Sequence, residues 1–169
     1  MAIRNPRPFL PLSNIQSNKI HIYENSRKVK GIKTGGSGYA PPMKKLYVSL
    51  FALLAGGGIY GLVELLFRGW THWTMLLAGG VSLLLILLSC GIPGPLWQKW
   101  VMGAALITAV EFVSGCVLNL GLGWDIWDYS ARPLNLMGQI CPLFCLFWLF
   151  LSIPAVGLCR YLRKRAQWA

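Results

Sequence analysis

The chain has 169 residues, 55% of them apolar and only 12% charged, with a mean hydropathy of +0.53. Soluble domains average about 25% charged residues, so this composition excludes a wholly disordered chain, a collagen-like repeat, a disulfide-stapled secreted domain and an ordinary soluble globule. Sixteen Lys/Arg against five Asp/Glu give a formal net charge of +11. That balance alone would suit nucleic acid, but the apolar runs give the basic residues another task, and no nucleic-acid partner is expected.

Residues 1–42 carry Arg4, Arg7, Lys19, Arg27, Lys28, Lys30 and Lys33 against one acid, Glu24. They are rich in Pro, Asn, Ser and Gly and contain no apolar run able to offset the entropy of ordering. The segment reads as a disordered basic tail. It has no apolar h-region and so is no secretory signal. Two alternatives stay open: a basic arm lying against anionic lipid, or a natural start at Met43-Lys44-Lys45, which would place 1–42 upstream of the protein proper. Gly31-Ile32-Lys33-Thr34 lacks the spacing of a phosphate-binding loop.

Four long apolar stretches follow, over residues 46–67, 71–92, 97–120 and 134–158. Each exceeds the roughly 20 residues that a helix needs to cross about 30 Å of hydrocarbon, and open strands cannot face lipid with unpaired backbone. Lys44, Lys45, Lys99, Arg160, Arg163, Lys164 and Arg165 fall on one side, with only Arg68 and Arg132 opposite. Basic loops stay inside. The expected fold is therefore an all-α integral membrane protein of the cell membrane, a four-transmembrane-helix bundle with both termini cytoplasmic and a disordered basic N-terminal tail.

Ionisable groups inside a bilayer are costly and mark candidate functional positions. Glu64 stands four residues before Arg68, so the two can pair on one helical face; Gly57 and Gly61 continue that stripe and suit close helix contact. Glu111 lies 14 residues beyond Trp97, about 21 Å along a helix axis, with Gly115 and Asn119 on the same face. Read as the start of the last span, Asn135, Gly138, Gln139 and Pro142 form a matching helical stripe, with kinks expected at Pro142 and Pro154. The intervening loop holds Asp125, Asp128, Tyr129 and Arg132 among Trp124 and Trp127, which is a folded cap rather than a solvated linker. Asp125 or Asp128 is available to Arg68 or Arg132. Together with His72, these residues form the expected polar ligand- or ion-binding cluster in the outer half of the bundle. A structural Glu64–Arg68 clasp and interhelical glue by Asn and Gln are its bland counterparts. His72 without ligand partners reads as an interfacial hydrogen bonder, and the five cysteines as small hydrophobes. No metal, cofactor or catalytic residue is assigned.

Glu64 with the run Arg68-Gly69-Trp70-Thr71-His72-Trp73-Thr74-Met75 and Gly79-Gly80, followed by Glu111-Phe112-Val113, Gly115, Asn119, Trp127-Asp128-Tyr129-Ser130 and Pro133, Asn135, Gly138-Gln139-Ile140-Cys141, resembles the bacterial putative ABC transporter permeases of type IV. The resemblance spans roughly residues 43–160. It implies a multi-pass membrane subunit working with a separate ATPase, since this chain has no Walker motif, and it brings no defined substrate or catalytic residue. Four helices make a small pathway, so self-assembly is a further expectation. Transport is the leading reading. The alternatives are a non-catalytic accessory protein and a membrane-embedded enzyme acting on a lipid or cell-envelope substrate, with Asp128 or Glu111 as acid or base beside His72.

Overall fold

After Lys45 charge almost disappears, and backbone without water must satisfy its own hydrogen bonds, which a helix does within one segment. The structure, a computed structural model, describes residues 42–168, and among them the fold is all-helical, with no strand. Helix α1 spans Pro42–Arg68, α2 Trp73–Ser89, α3 Leu96–Gly115 and α4 Pro142–Arg165; α3 runs on into a π-helical segment, Cys116–Gly121. The reading of residues 1–42 as a basic tail, and the alternative start at Met43, concern residues that lie, apart from Pro42, outside the described part.

The boundaries follow local chemistry. Gly69 stops α1 by adopting a left-handed φ of +74°, its N–H bonding back to Leu65 O at 3.0 Å, the usual glycine solution to a helix end. Three residues later His72 opens α2 in extended conformation, its Nδ1 accepting from Thr74 N at 3.4 Å. Pro95 precedes α3 in the same extended state. Pro142 occupies the first turn of α4, where its missing N–H costs nothing.

That last boundary corrects the expectation of a span over 134–158. Residues Leu134 to Cys141 are not helical; they form a tight loop with an isolated Leu136–Ile140 bridge. Asn135, Gly138 and Gln139 therefore do not share a helical stripe with Pro142, and Pro142 starts the helix rather than kinking it. Pro154 is accommodated inside α4 without ending it.

Among the described residues three helices are long and apolar enough to cross a membrane: Met43–Arg68, Leu96–Gly121 and Pro142–Arg165. The fourth, Trp73–Ser89, is a shorter apolar helix. Much of the apolar surface faces outward; Leu54, Leu66 and Phe150 are 73%, 77% and 69% exposed. An apolar exterior of that extent marks a surface covered by lipid. Inside, α1 packs chiefly against α2 and α3 against α4, forming two antiparallel hairpins. Leu83, Ile86, Ala104, Ile107, Val156 and Cys159 join them in an apolar core toward one end. The polar residues gather toward the other end.

Candidate functional site

At that polar end Glu64 and Glu111 stand in two different settings. Glu64 and Arg68, one turn apart on α1, pair at 3.0 Å between Arg68 Nη1 and Glu64 Oε1. Thr71 Oγ1 donates to the other carboxylate oxygen at 2.6 Å. Arg68 also donates to the carbonyl of Ile126 in the loop after α3, and its guanidinium lies 4.3 Å from the Trp70 ring centre. The spacing that suggests an (i, i+4) pair is thus used, and the same arginine reaches across to hold the loop.

Glu111 is 4% exposed and, among the described residues, has no arginine or lysine on it. Tyr60 OH, from α1, donates to Oε1 at 2.8 Å, and Trp148 Nε1, from α4, donates to Oε2 at 2.5 Å. The two donor rings stack with centres 5.7 Å apart. One carboxyl group therefore gathers three helices through two uncharged donors.

Both settings open on one cavity of about 450 Å³. Glu64, Arg68, Glu111, Asp128, Tyr129 and Arg132 contribute its polar wall, and Tyr60, Phe67, Phe144, Phe147, Trp127 and Trp148 its aromatic one. Six of the residues expected from the sequence thus meet. Asp128 sits on the exposed rim, accepting from Ser130 N at 2.8 Å and Ser130 Oγ at 2.6 Å; these bonds hold its carboxyl below the usual range. Burial pushes the Tyr129 phenol above its ordinary value, and its ring stacks on Phe144 at 4.5 Å. The expected Asp–Arg pair across the loop is not formed: the ion pair among the described residues is Glu64–Arg68.

The remaining expected residues serve the loop instead. Asn119, in the π-helical segment, accepts from Ile126 N at 2.8 Å and donates to Trp127 O and Gln139 Oε1, each at 2.8 Å. Gln139 returns a bond from Nε2 to Met137 O at 3.0 Å, and its own carbonyl accepts from Trp127 Nε1 at 3.0 Å. Gly115 leaves the room for it, since a Cβ there would stand 3.0 Å from Gln139 Cβ. Asn135 ties Ser130 O and Arg132 O to Gly138 N. Asp125 is exposed with a φ of +48°. His72 caps α2, its ring 5.6 Å from both Trp73 and Trp124, and does not line the cavity. Among the described residues no buried side-chain N or O lacks a partner, and no group of three metal-binding side chains occurs.

Tyr60 and Trp148 are the site residues that the sequence reading missed. Each is an aromatic with a polar tip far from the interfacial belt where Tyr and Trp ordinarily sit, and a buried N–H or O–H needs a partner. Tyr60 also stands one turn before Glu64. Those were the available signals.

A family model described as "Putative ABC-transporter type IV" matches residues 59–167, a stretch that contains the whole cavity wall. No curated protein and no solved structure matches the chain.

Proposed function

The chain belongs to the putative ABC-transporter type IV family, and from that membership we propose that it is a transport-related subunit of the bacterial cell membrane whose outer cavity binds a small polar ligand or ion. In this reading the protein crosses the bilayer four times, with both termini in the cytoplasm. The 17 residues of α2 span about 25 Å at 1.5 Å per residue, close to the hydrocarbon thickness once the flanking Thr71 and Cys90 are added. An even number of crossings puts Lys44, Lys45, Lys99 and the basic end of α4 on one face, in keeping with the inward bias of Lys and Arg. The ATP-hydrolysing step then belongs to a separate subunit, and this chain carries no catalytic residue.

The observation that carries the reading is Glu111. It is a buried carboxylate held by two uncharged donors and facing a 450 Å³ cavity, the setting in which intramembrane acids serve ligand or ion pathways. Uptake or efflux by whole cells should be abolished by Glu111→Gln while membrane abundance stays at the wild-type level. Retained transport would sink the proposal.

A second reading, an accessory protein whose polar groups only order the bundle, draws support from the completeness of the hydrogen bonding. It expects Glu111→Gln and Asp128→Asn both to lower the thermal midpoint in detergent, with no separate effect on transport. An enzymatic reading has less behind it, because His72 is occupied as a helix cap and stands off the cavity wall.

A further inference from the structure

The polar cavity shares a wall with a second recess. The second is an apolar groove of about 310 Å³ between the helices, lined by Ile59, Leu83, Ile86, Ile107, Leu151 and Ala155 among others. Tyr60, Val63 and Trp148 line both recesses. The two rings that hold Glu111 from one side therefore form the boundary between a charged chamber and a hydrocarbon-like slot.

The chamber favours a cation. Arg68 is already engaged by Glu64, by the Ile126 carbonyl and by the Trp70 ring, and Asp128 is engaged by Ser130. Glu111 has hydrogen bonds but no ion pair among the described residues, and each of its oxygens keeps lone-pair capacity beyond the one bond it accepts. The rings of Tyr60, Tyr129, Phe144, Phe147 and Trp148 line the same space, and aromatic rings attract ammonium groups most strongly where water is excluded. An anionic head would meet Glu111 and Asp128, with Arg68 already committed and Arg132 standing on the exposed rim.

We propose that the two recesses form a single bipartite site for an amphiphile with an ammonium headgroup, the head seated by Glu111 and the aromatic wall and the alkyl tail lying in the groove. This rests on the ligand-site reading above and gives it a substrate class. The head can come from an amine-bearing membrane lipid or from a soluble alkylammonium compound, which share this chemistry.

The test uses the full chain in maltoside micelles, with tryptophan fluorescence and calorimetry reading binding of dodecyltrimethylammonium, tetramethylammonium and dodecyl sulfate. The tailed cation should bind saturably and at least a hundredfold more tightly than the tailless one, with no saturable binding of the sulfate. Each added methylene should tighten binding about fourfold until the groove is full. Glu111→Gln should weaken the tailed cation at least tenfold, and Ala155→Phe should remove the gain from the tail while leaving tetramethylammonium binding unchanged. Should Ala155→Phe fail to fold, the tail-length series in the unaltered protein carries the groove arm by itself. Displacement of the probe by phosphatidylethanolamine but not phosphatidylglycerol identifies a lipid head, and its absence a soluble amphiphile; both agree with the site. Equal binding of tailed and tailless cations, or a preference for dodecyl sulfate, overturns the bipartite site. If that binding still falls with Glu111→Gln, the ligand cavity survives. No saturable binding of any probe to folded protein also overturns the bipartite site, and the transport assay of Glu111→Gln then judges the ligand-site reading independently.

Discussion

At the rim of the cavity, Asp128 accepts two bonds from Ser130, one from the hydroxyl and one from the backbone N–H. Both favour the ionised carboxylate, so its folded pKa lies below the ordinary one, which is about 3.9 for an unfolded Asp. A depressed carboxylate adds stability that is fully present above the unfolded value and lost as pH falls through the folded one. Hydrogen-exchange protection of the Ser130 amide, corrected for intrinsic rate, should therefore be flat from pH 7 to 5 and fall below about pH 4. Asp128→Asn should abolish the step; a step that persists in the variant would exclude this carboxylate as its cause. At this scale the sequence was informative where one spacing sufficed, as for Glu64 and Arg68, whose contact lies within one helix. It was silent on Tyr60 and Trp148, which are 51 and 37 residues from Glu111. A hydropathy pattern scores both as apolar filling, and only the packed bundle reveals which acid they face.

Among the elements, the segment between α3 and α4 is the one whose shape departs most from a hydropathy reading. Leu134, Leu136, Met137, Ile140 and Cys141 continue the apolar composition of the last helix up to its true start. The turn signals lay between them: Pro133, Asn135, a Gly138 with a φ of +69°, and a proline at the first turn of α4. Hydropathy averaged over a span cannot separate an apolar helix from an apolar loop folded onto the bundle, whereas Pro at a helix start and glycine at positive φ can. Asn119 holds this loop through three bonds to its backbone and to Gln139. Asn119→Leu fills similar volume but strands the Ile126 N–H and the Trp127 carbonyl, at about 1–3 kcal/mol for each buried group left unmade. The variant should show a lower thermal midpoint in detergent and new protease cleavage within residues 122–141, with α1 and α2 remaining intact. Unaltered cleavage would show that the clasp does not hold the loop.

Across the whole bundle, the two hairpins are built differently. In the first, glycines let the helix backbones meet: a Cβ on Gly56 would stand 2.5 Å from Gly79 O, and one on Gly80 2.5 Å from Leu53 O. Small residues permit such approach where no hydrophobic drive separates helix from lipid. Gly80→Val should lower membrane abundance and destabilise the bundle by about 1–3 kcal/mol, read as a drop in thermal midpoint. Gly58→Ala, with nothing within 4 Å of the added carbon, should leave both unchanged and serves as the control. The stripe of Gly57 and Gly61 with the Gly79-Gly80 pair was visible in the sequence; which glycines oppose which backbone was set only by the crossing of α1 and α2.

The seam between the hairpins has one further consequence. Near Ile86 and Val156 apolar contact, which has no preferred direction, is joined by two bonds from α4 to carbonyls of α2: Cys159 Sγ donates to Leu83 O at 3.7 Å and Arg163 Nη1 to Leu87 O at 3.3 Å. At the opposite end the Tyr60 hydroxyl on Glu111, Arg68 on the Ile126 carbonyl, the stack of Tyr60 on Trp148 and the edge of Phe67 against Phe147 are among the contacts that cross it. Tyr60, Phe67, Arg68, Glu111, Phe147 and Trp148 all belong to the cavity wall, so the groups that join the two hairpins at this end are the same groups that any occupant of the chamber would touch.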